Sequence, residues 1–254
     1  MIIEHHPAEL LDTYLEICSG EQLFVSQALA AFDAVDSLGS MLDCAVGTGF
    51  GTIPLLRSGL PLVCSDGSAE MIERFHLNCR RAGLGNRSIL AQWADLPNYF
   101  PAVFDLVMCR GNSLAYADSW DDEEAPNPDP ERIGRHLRGM AGALRSGGAL
   151  LLDIPDTRDI TSDVSYVTEN GGLTRDGLRV AIVDEVHVSL AHRLRRWRTT
   201  MTIDGTVYGF ERTSHLIQLE EVRSDLKACG FDEVKTLEIR NIRDNFISLL
   251  AIKL

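Results

Sequence analysis

The chain has 254 residues, 45% of them apolar, and a formal net charge of −13 with a pI near 4.9. This length and apolar content allow one large domain, or one domain with an elaboration, around a sizeable core. The acidity counts against a nucleic-acid partner and against an anionic membrane surface, because both require clustered Lys and Arg, and it favours a small-molecule partner.

The N-terminal segment, residues 1–38, is predicted to be a helical lid. Over residues 7–38 apolar side chains such as Leu10, Tyr14 and Cys18 recur at helical spacing. This is the pattern of an amphipathic helix.

Residues 39–160 alternate near-continuous apolar runs with helical patterns. Such runs are typical of parallel strands that are buried on both faces, and they lie at 40–46, 60–66, 87–93, 104–110 and 148–154. The helical patterns between them lie at 49–58, 68–83 and 130–145. The alternation predicts an α/β fold with a doubly wound parallel sheet. Within it, the acidic stretch 117–130 contains three prolines and is predicted to be a solvated loop.

Residues 161–215 are predicted to form an antiparallel β insert after the fifth strand, roofing the substrate site. NGG and IDGT are turn sequences, and polar and apolar residues alternate in VDEVHVSL and RWRTTMTI. Residues 216–254 then rejoin 39–160 in the main domain, with a helix at 219–230 and two strands that complete a seven-stranded, mostly parallel sheet. These strands are expected at 234–240 and 246–254. The arginines of the insert are predicted to lie on a solvated sheet surface or to pair with acids: Arg193, Arg195, Arg196 and Arg198.

The six cysteines form no C-x-x-C pair and no metal-ligand spacing, so no metal site is predicted. Reduced, buried thiols in a cytoplasmic protein are the expected state. No apolar stretch has the length of a membrane span, and the N-terminus lacks a signal-peptide pattern. We therefore expect a cytoplasmic protein without a membrane partner.

Three glycines, Gly47, Gly49 and Gly51, follow an apolar run that contains the acid Asp43. Glycine is kept where φ is positive or where another group approaches the backbone closely, and here a phosphate, a nucleoside or a packed helix could each approach. A second acid, Asp66, closes the next strand 66 − 47 = 19 positions after Gly47 and could accept both hydroxyls of any adenosine ribose. A charge at Asp43 is atypical of nicotinamide fingerprints, whereas a sulfonium cofactor without pyrophosphate tolerates it.

The stretch LDCAVGTGFGT resembles the first motif of class I S-adenosylmethionine-dependent methyltransferases, with Ala45 where many members carry glycine. CSDGSAEMI (64–72) and AQWADLP (91–97) resemble the second and third motifs, and FDLVMCRGNSLAYA and LRSGGALLLDI resemble the fourth and fifth strands. The resemblance covers residues 11–160. It implies a Rossmann-like methyltransferase fold and S-adenosylmethionine as the cofactor.

The resemblance also nominates site residues. It places the cofactor against Tyr14, Asp43, Ala45, Gly47, Gly49, Asp66, Gly67, Met71, Gln92, Trp93, Ala94, Cys109 and Arg110. In that set Asp66 is the ribose acid, Met71 an adenine-side contact and Gln92–Ala94 the residues that flank the adenine. The resemblance implies that Gly111 and Asn112 lie beside the transferring methyl group. Tyr116 and His215 are further catalytic candidates, with His215 either a general base or a structural histidine. Structural roles stay open for several of these, since Asn112 could shape a turn and the tyrosines could be core residues.

Within the superfamily, CRGNSLAYA and Ala45 resemble glycine and sarcosine N-methyltransferases. Those enzymes carry an arginine in the N-terminal segment and another after the fifth strand, where this chain has residues 20–22 and Pro155. Arg158 is a candidate substitute for the second. The absence of these arginines argues against glycine as the acceptor. It favours an amine that has no carboxylate near Pro155.

The predicted function is transfer of a methyl group from S-adenosylmethionine to a small molecule, at an amine nitrogen, by in-line displacement that gives S-adenosylhomocysteine. Oxygen acceptors remain open. The alternative is an enzyme that cyclises or transfers the methionine portion and releases methylthioadenosine. The absence of the arginine that faces the cofactor carboxylate is the reason to consider it. A nucleic-acid methyltransferase, a NAD-dependent oxidoreductase and a non-catalytic binding module are less favoured. The expected partner is a small molecule, not nucleic acid, and a homo-oligomer is one of the assembly states left open.

Overall fold

The computed structural model of the chain describes residues 3–4, 7–35, 38–85, 88–120, 129, 131–239 and 246–254. Its strands are β1 (Ile3–Glu4), β2 (Met41–Asp43), β3 (Leu62–Asp66), β4 (Ser88–Leu90), β5 (Phe104–Cys109), β6 (Leu144–Pro155), β7 (Val164–Leu173), β8 (Arg179–Ser189), β9 (Leu194–Ile203), β10 (Thr206–His215), β11 (Phe231–Leu237) and β12 (Phe246–Lys253). Its α-helices are α1 (Pro7–Cys18), α2 (Glu21–Asp33), α3 (Ile53–Arg57), α4 (Ala69–Arg81), α5 (Leu96–Tyr99), α6 (Arg132–Ala143) and α7 (Leu219–Ala228). No α-helix in these ranges is long and apolar enough to cross a bilayer.

A seven-stranded sheet forms the centre of the molecule, in the order β11-β12-β6-β5-β2-β3-β4. The strands from β2 to β6 pair in parallel, and β12 and β11 add an antiparallel edge. Every residue of β5 is buried, as its continuous apolar run predicts for a strand covered on both faces. The predicted α/β fold with a mostly parallel seven-stranded sheet is therefore confirmed.

Strands β7 to β10 form a second sheet, which is antiparallel except for a short parallel pairing of β1 with β10. Alternate residues of β8 are buried, as the polar–apolar alternation predicts for a sheet with one covered face. The covered face packs on α1, where the rings of Tyr14 and Trp197 meet edge to face with centroids 5.2 Å apart. The antiparallel insert after the fifth strand of the central sheet is confirmed.

Several predicted bounds are wrong for local reasons. The helix expected over 49–58 is only α3, because the glycine turn occupies the residues before it. The strand expected over 87–93 ends at Leu90, and Trp93 begins a 3-10 turn instead. In the acidic stretch, 121–128 and 130 lie outside the described residues, while Ala117 and Ser119 are buried, so this first part is not the solvated loop that its composition indicates.

Asp105 on β5 anchors the chain where it enters β2. Its Oδ2 accepts hydrogen bonds from the backbone N–H groups of Gly39 and Ser40, and its carboxylate pairs with Arg145. Burial raises the pKa of Asp105, but these donors outweigh it and hold the pKa below its usual value. The charged carboxylate therefore contributes stability that is present above the pKa of an unfolded aspartate and is lost as pH falls through the lowered pKa.

We expect Asp105→Asn to lower the free energy of unfolding at pH 7 by about 1–3 kcal/mol, because a charge-assisted set of hydrogen bonds is lost. The difference from wild type should shrink as pH falls below about 4, where the unfolded carboxylate takes up its proton, and should be lost once pH falls through the lower native pKa. Urea unfolding at pH 7, 5 and 3 measures both effects, with exposed Asp232→Asn as the control. A difference that does not change with pH would contradict the electrostatic explanation.

Candidate cofactor and substrate site

A cavity of about 1780 Å³ opens at the carboxyl ends of the parallel strands and is lined by α1, the central sheet and the insert. Ligands of open α/β sheets bind at this edge. The cavity exceeds the roughly 300–1,000 Å³ that holds one small ligand, so it has room for a cofactor and an acceptor together.

Most of the predicted site residues meet at this cavity. Its lining includes Tyr14, Ala45, Gly47, Asp66, Gly67, Met71, Gln92, Trp93, Arg110, Gly111, Asn112 and Tyr116. The structure places the other predicted residues outside the lining, and these are Asp43, Gly49, Ala94, Cys109 and His215. Each of these five residues contacts other parts of the protein.

The three glycines of the turn have different neighbours. A Cβ on Gly49, which has φ of +87°, would lie 2.6 Å from the Phe75 ring, and one on Gly51 would collide with Phe24. A Cβ on Gly47, which has φ of +53°, would meet no atom within 4 Å and would project into open space at the cavity wall. Gly49 and Gly51 therefore allow helices to pack closely, and Gly47 leaves room for a ligand.

We expect alanine at Gly49 to affect mainly stability and alanine at Gly47 to affect mainly cofactor binding. Gly49→Ala should lower the free energy of unfolding by about 2–4 kcal/mol, because it combines a clash with Phe75 and a positive φ. Gly47→Ala should cost about 1 kcal/mol of stability and weaken S-adenosylmethionine binding by about tenfold or more, because its methyl group takes cavity space. Urea unfolding and titration calorimetry measure the two quantities, and each variant is the control for the other. Equal effects on both quantities would contradict this division.

Asp66 is fixed at the end of β3 by backbone donors. Its Oδ2 accepts the N–H of Gly47 at 2.7 Å, and its Oδ1 accepts the N–H of Ser68 at 3.0 Å. Ser68 also caps α4 by accepting from Met71 N. The carboxylate lines the cavity, where it could hold two adjacent ribose hydroxyls.

Trp93 and Gln92 form the wall next to Asp66. The indole Nε1 of Trp93 donates to the carbonyl of Cys44 at 2.6 Å, which holds the ring at the cavity. The amide of Gln92 donates to the Gly67 carbonyl at 3.2 Å and leaves no room for a Cβ on Gly67. Ala94 instead packs against α6, at the position where Gly139 has no side chain.

Asp43 and Arg110 form a buried ion pair beneath the cavity. The Asp43 carboxylate also accepts the Thr52 hydroxyl, and Arg110 donates to the Phe24 carbonyl at 2.8 Å. The acid thus ties the glycine turn to the end of β5 and to α2, and it does not line the cavity. Cys109 is fully buried within β5 for the same structural reason, since both faces of that strand are covered.

The turn formed by Gly111 and Asn112 follows β5, and both residues have positive φ, +78° and +59°. Asp153 at the end of β6 holds this turn by accepting Gly111 N at 3.1 Å and Asn112 N at 2.6 Å. Burial raises the pKa of Asp153, and these hydrogen bonds together with one from Gln27 oppose the rise. Asn112 Oδ1 is buried and has no hydrogen-bond partner among the described residues. The sequence analysis missed Asp153, although an acid that closes an apolar strand run was a usable signal.

The hydroxyl of Tyr14 donates to Oδ2 of Asp184 at 2.9 Å, and Asp184 Oδ1 accepts Trp197 Nε1 at 2.9 Å and Thr199 Oγ1 at 2.6 Å. Burial, and then the Asp184 charge, raises the pKa of Tyr14. Burial likewise raises the pKa of Tyr116, so both phenols stay protonated at neutral pH. Asp184 was also missed, although the alternation of β8 places it on the buried face.

His215 ends β10 beside the carbonyl of Ala117, and the next residue, Leu216, lines the cavity instead. Burial and the positive charge of Arg132 lower the pKa of His215, so the imidazole is neutral at pH 7. His215 itself is outside the cavity lining, so its role as a general base stays a prediction.

Comparisons with known proteins agree with the motifs. Residues 41–127 match the methyltransferase domain family. The chain is 31% identical to a glycine/sarcosine N-methyltransferase of Parasynechococcus marenigrum over 77% of this chain, and it spans 64% of that relative. Its fold is similar to DesVI of Streptomyces venezuelae, with a TM-score of 0.75 and 17% identity over 97% and 98% of the two chains. It is also similar to S-adenosylmethionine-bound CalS10, an amino pentose methyltransferase of Micromonospora echinaspora, with a TM-score of 0.65 and 18% identity over 90% of each chain.

The fold is that of a Rossmann-like methyltransferase domain. The chain is similar to class I S-adenosylmethionine-dependent methyltransferases, and its curated relatives include glycine/sarcosine N-methyltransferases, of whose length it spans less than two thirds. The cofactor of this family, S-adenosylmethionine, fits the residues present. Gly47 leaves the turn open to a ligand, the carboxylate of Asp66 lines the cavity, and Trp93 is fixed at the same wall.

Proposed function

We propose that this protein transfers a methyl group from S-adenosylmethionine to the amine nitrogen of a small molecule and releases S-adenosylhomocysteine. The observation that carries this proposal is the unsatisfied Oδ1 of Asn112, which is buried at the turn after β5 where that turn meets the cavity. A buried acceptor without a partner is costly, and an acceptor amine supplies the missing N–H donor.

The charges of the lining support an amine. Acidic residues predominate: Glu16, Asp66, Asp118, Asp153, Asp156, Asp159, Glu169 and Asp184. The cations among the described lining residues are Arg110, which is paired with Asp43, and Arg195. A cleft with this excess of negative charge attracts a protonated amine from solution. The amine must release that proton to solvent before its nitrogen lone pair can attack the methyl carbon.

When bound, S-adenosylmethionine supplies a methyl group that its sulfonium makes electrophilic. Displacement at that carbon needs alignment more than acid–base chemistry, so the chain contributes mainly by positioning the acceptor. Oδ1 of Asn112 accepts an N–H of the amine and so orients it. Asp153 keeps the turn that contains Asn112 in place. Tyr116 keeps its proton at neutral pH, so it serves as a hydrogen-bonding group in the cavity lining and not as a base.

The proposal is tested by incubating the protein with methyl-labelled S-adenosylmethionine and a panel of amines, amino acids and phenols, with both products identified by mass spectrometry. We expect label in an amine and an equal amount of S-adenosylhomocysteine. Methylthioadenosine without S-adenosylhomocysteine would establish the alternative in which the methionine portion is used. Label in phenols alone, or in added nucleic acid alone, would contradict the proposal.

We expect Asn112→Gly to lower kcat/KM for the amine by about 10- to 100-fold, because the acceptor loses one hydrogen bond and its alignment. Glycine accepts the φ of +59° at this position, so the change removes the carboxamide without backbone strain. Asn112→Asp keeps the acceptor oxygen and should recover part of the rate. Calorimetric titration should show S-adenosylmethionine affinity unchanged in both variants. A loss of cofactor affinity that parallels the rate would contradict an acceptor-side role.

A further inference from the structure

Arg195 lies on β9 in the roof of the cavity, where the sequence analysis expected a solvated or acid-paired arginine. It is opposite Val188 on β8 and shares the covered face of the insert with Trp197. Its guanidinium carbon lies 6.0 Å from the centre of the Trp197 ring. The side chain is half-buried, and it faces the cavity that holds the proposed acceptor.

The neighbours of the Arg195 guanidinium are neutral. It lies beside the phenols of Tyr116 and Tyr166, which also line the cavity, and the described residues include no carboxylate that forms an ion pair with it. Nearby arginines of the insert behave differently: Arg193 pairs with Glu221, and Arg196 pairs with Glu211. Among the described residues, Arg195 is therefore a half-buried cation that hydrogen-bonds phenols and has no carboxylate counter-ion.

An unpaired, partly desolvated charge costs free energy unless a ligand completes it. The planar guanidinium fits an oxyanion in two parallel hydrogen bonds. A single arginine in a cavity whose charged lining residues are mainly carboxylates can balance one negative charge but not the two or more of a phosphate ester. These features select a carboxylate over a phosphate.

We propose that Arg195 anchors a carboxylate of the methyl acceptor, so that the acceptor class is an amine that also bears a carboxylate. This inference rests on the proposed function and names the second polar group of its substrate. The anchor is on the roof strand β9, not at Pro155 after β6, so the carboxylate enters from the side of the insert. The large cavity allows a spacer between the amine and the carboxylate.

The test is a calorimetric titration of the protein with benzoate, with neutral benzamide and with inorganic phosphate, in the absence of S-adenosylmethionine. We expect the wild-type protein to bind benzoate about tenfold or more tightly than benzamide, and more tightly than phosphate. Arg195→Gln should lose that preference, Arg195→Lys should keep part of it, and Arg196→Gln, which changes an exposed arginine of the same strand, should keep all of it.

Equal binding of benzoate and benzamide by wild type overturns the proposal, even if Arg195→Gln fails to fold. Tighter binding of phosphate overturns the choice of carboxylate. If Arg195→Gln instead weakens S-adenosylmethionine tenfold and leaves benzoate unchanged, the arginine serves the cofactor and the proposal is wrong. Because the titration with benzoate contains no cofactor, a failure of methyl transfer to amines does not affect its result.

Discussion

Asp66→Ala is expected to weaken S-adenosylmethionine binding by about a hundredfold or more. The carboxylate offers two charged acceptors at the cavity wall, and a hydrogen bond to a charged group contributes roughly 1.5–3 kcal/mol. The substitution also releases Gly47 N and Ser68 N, which the carboxylate holds at 2.7 and 3.0 Å. The glycine turn and the first residues of α4 therefore lose their common anchor.

Titration calorimetry with S-adenosylmethionine and with S-adenosylhomocysteine measures this loss, and both ligands should be affected equally because they share the ribose. Asp66→Asn keeps the shape and one acceptor, so its loss should be smaller. Asp159→Asn is the matched control, since Asp159 is an exposed acid that lines the same cavity. A loss below tenfold for Asp66→Ala, or an equal loss for Asp159→Asn, would contradict the assignment of Asp66 to the ribose.

The central sheet and the insert could be predicted because their signals are local. Strand β5 is apolar except for Asp105 and is buried throughout, and burial alternates along β8 as far as Val188. Asp66 could be located too, because the acid ends a strand and precedes a capped helix. Here the local pattern and the tertiary role agree.

The rest of the site depends on contacts between distant parts of the chain. Tyr14 and Asp184 form a hydrogen bond across 170 positions of sequence. Gly49 and Gly51 are required by Phe75 and Phe24, which belong to two different helices. No spacing rule distinguishes these packing glycines from Gly47.

Arg195 illustrates the same limit for charge. Alternation in β9 puts Arg195 and Arg196 on opposite faces of the strand. It does not say which of the two faces α1 and the cavity cover. The structure pairs Arg196 with Glu211 on the exposed face and turns Arg195 inward. Composition alone treats such arginines alike, whereas burial distinguishes a solvated charge from a ligand contact.

Asp153→Asn is expected to lower kcat by about 10- to 100-fold while S-adenosylmethionine affinity stays within about threefold of wild type. The carboxylate accepts both backbone N–H groups of the turn, from Gly111 and Asn112, and an asparagine in its place can accept only through one oxygen. One buried N–H then loses its partner, and the turn with its two positive φ angles loses the restraint that aligns the acceptor.

The matched control for Asp153→Asn is Ser248→Ala. Ser248 lies opposite Asp153 on β12, and both accept hydrogen bonds from the amide of Gln27, at 3.2 and 2.8 Å. Asp153 also accepts the backbone N–H of Gly111 at the turn. Both variants disturb the same buried amide, so a shared loss of stability in urea unfolding is expected. The fall in kcat should belong to Asp153→Asn alone. Equal rates in the two variants would mean that the carboxylate supports the fold and does not position the acceptor.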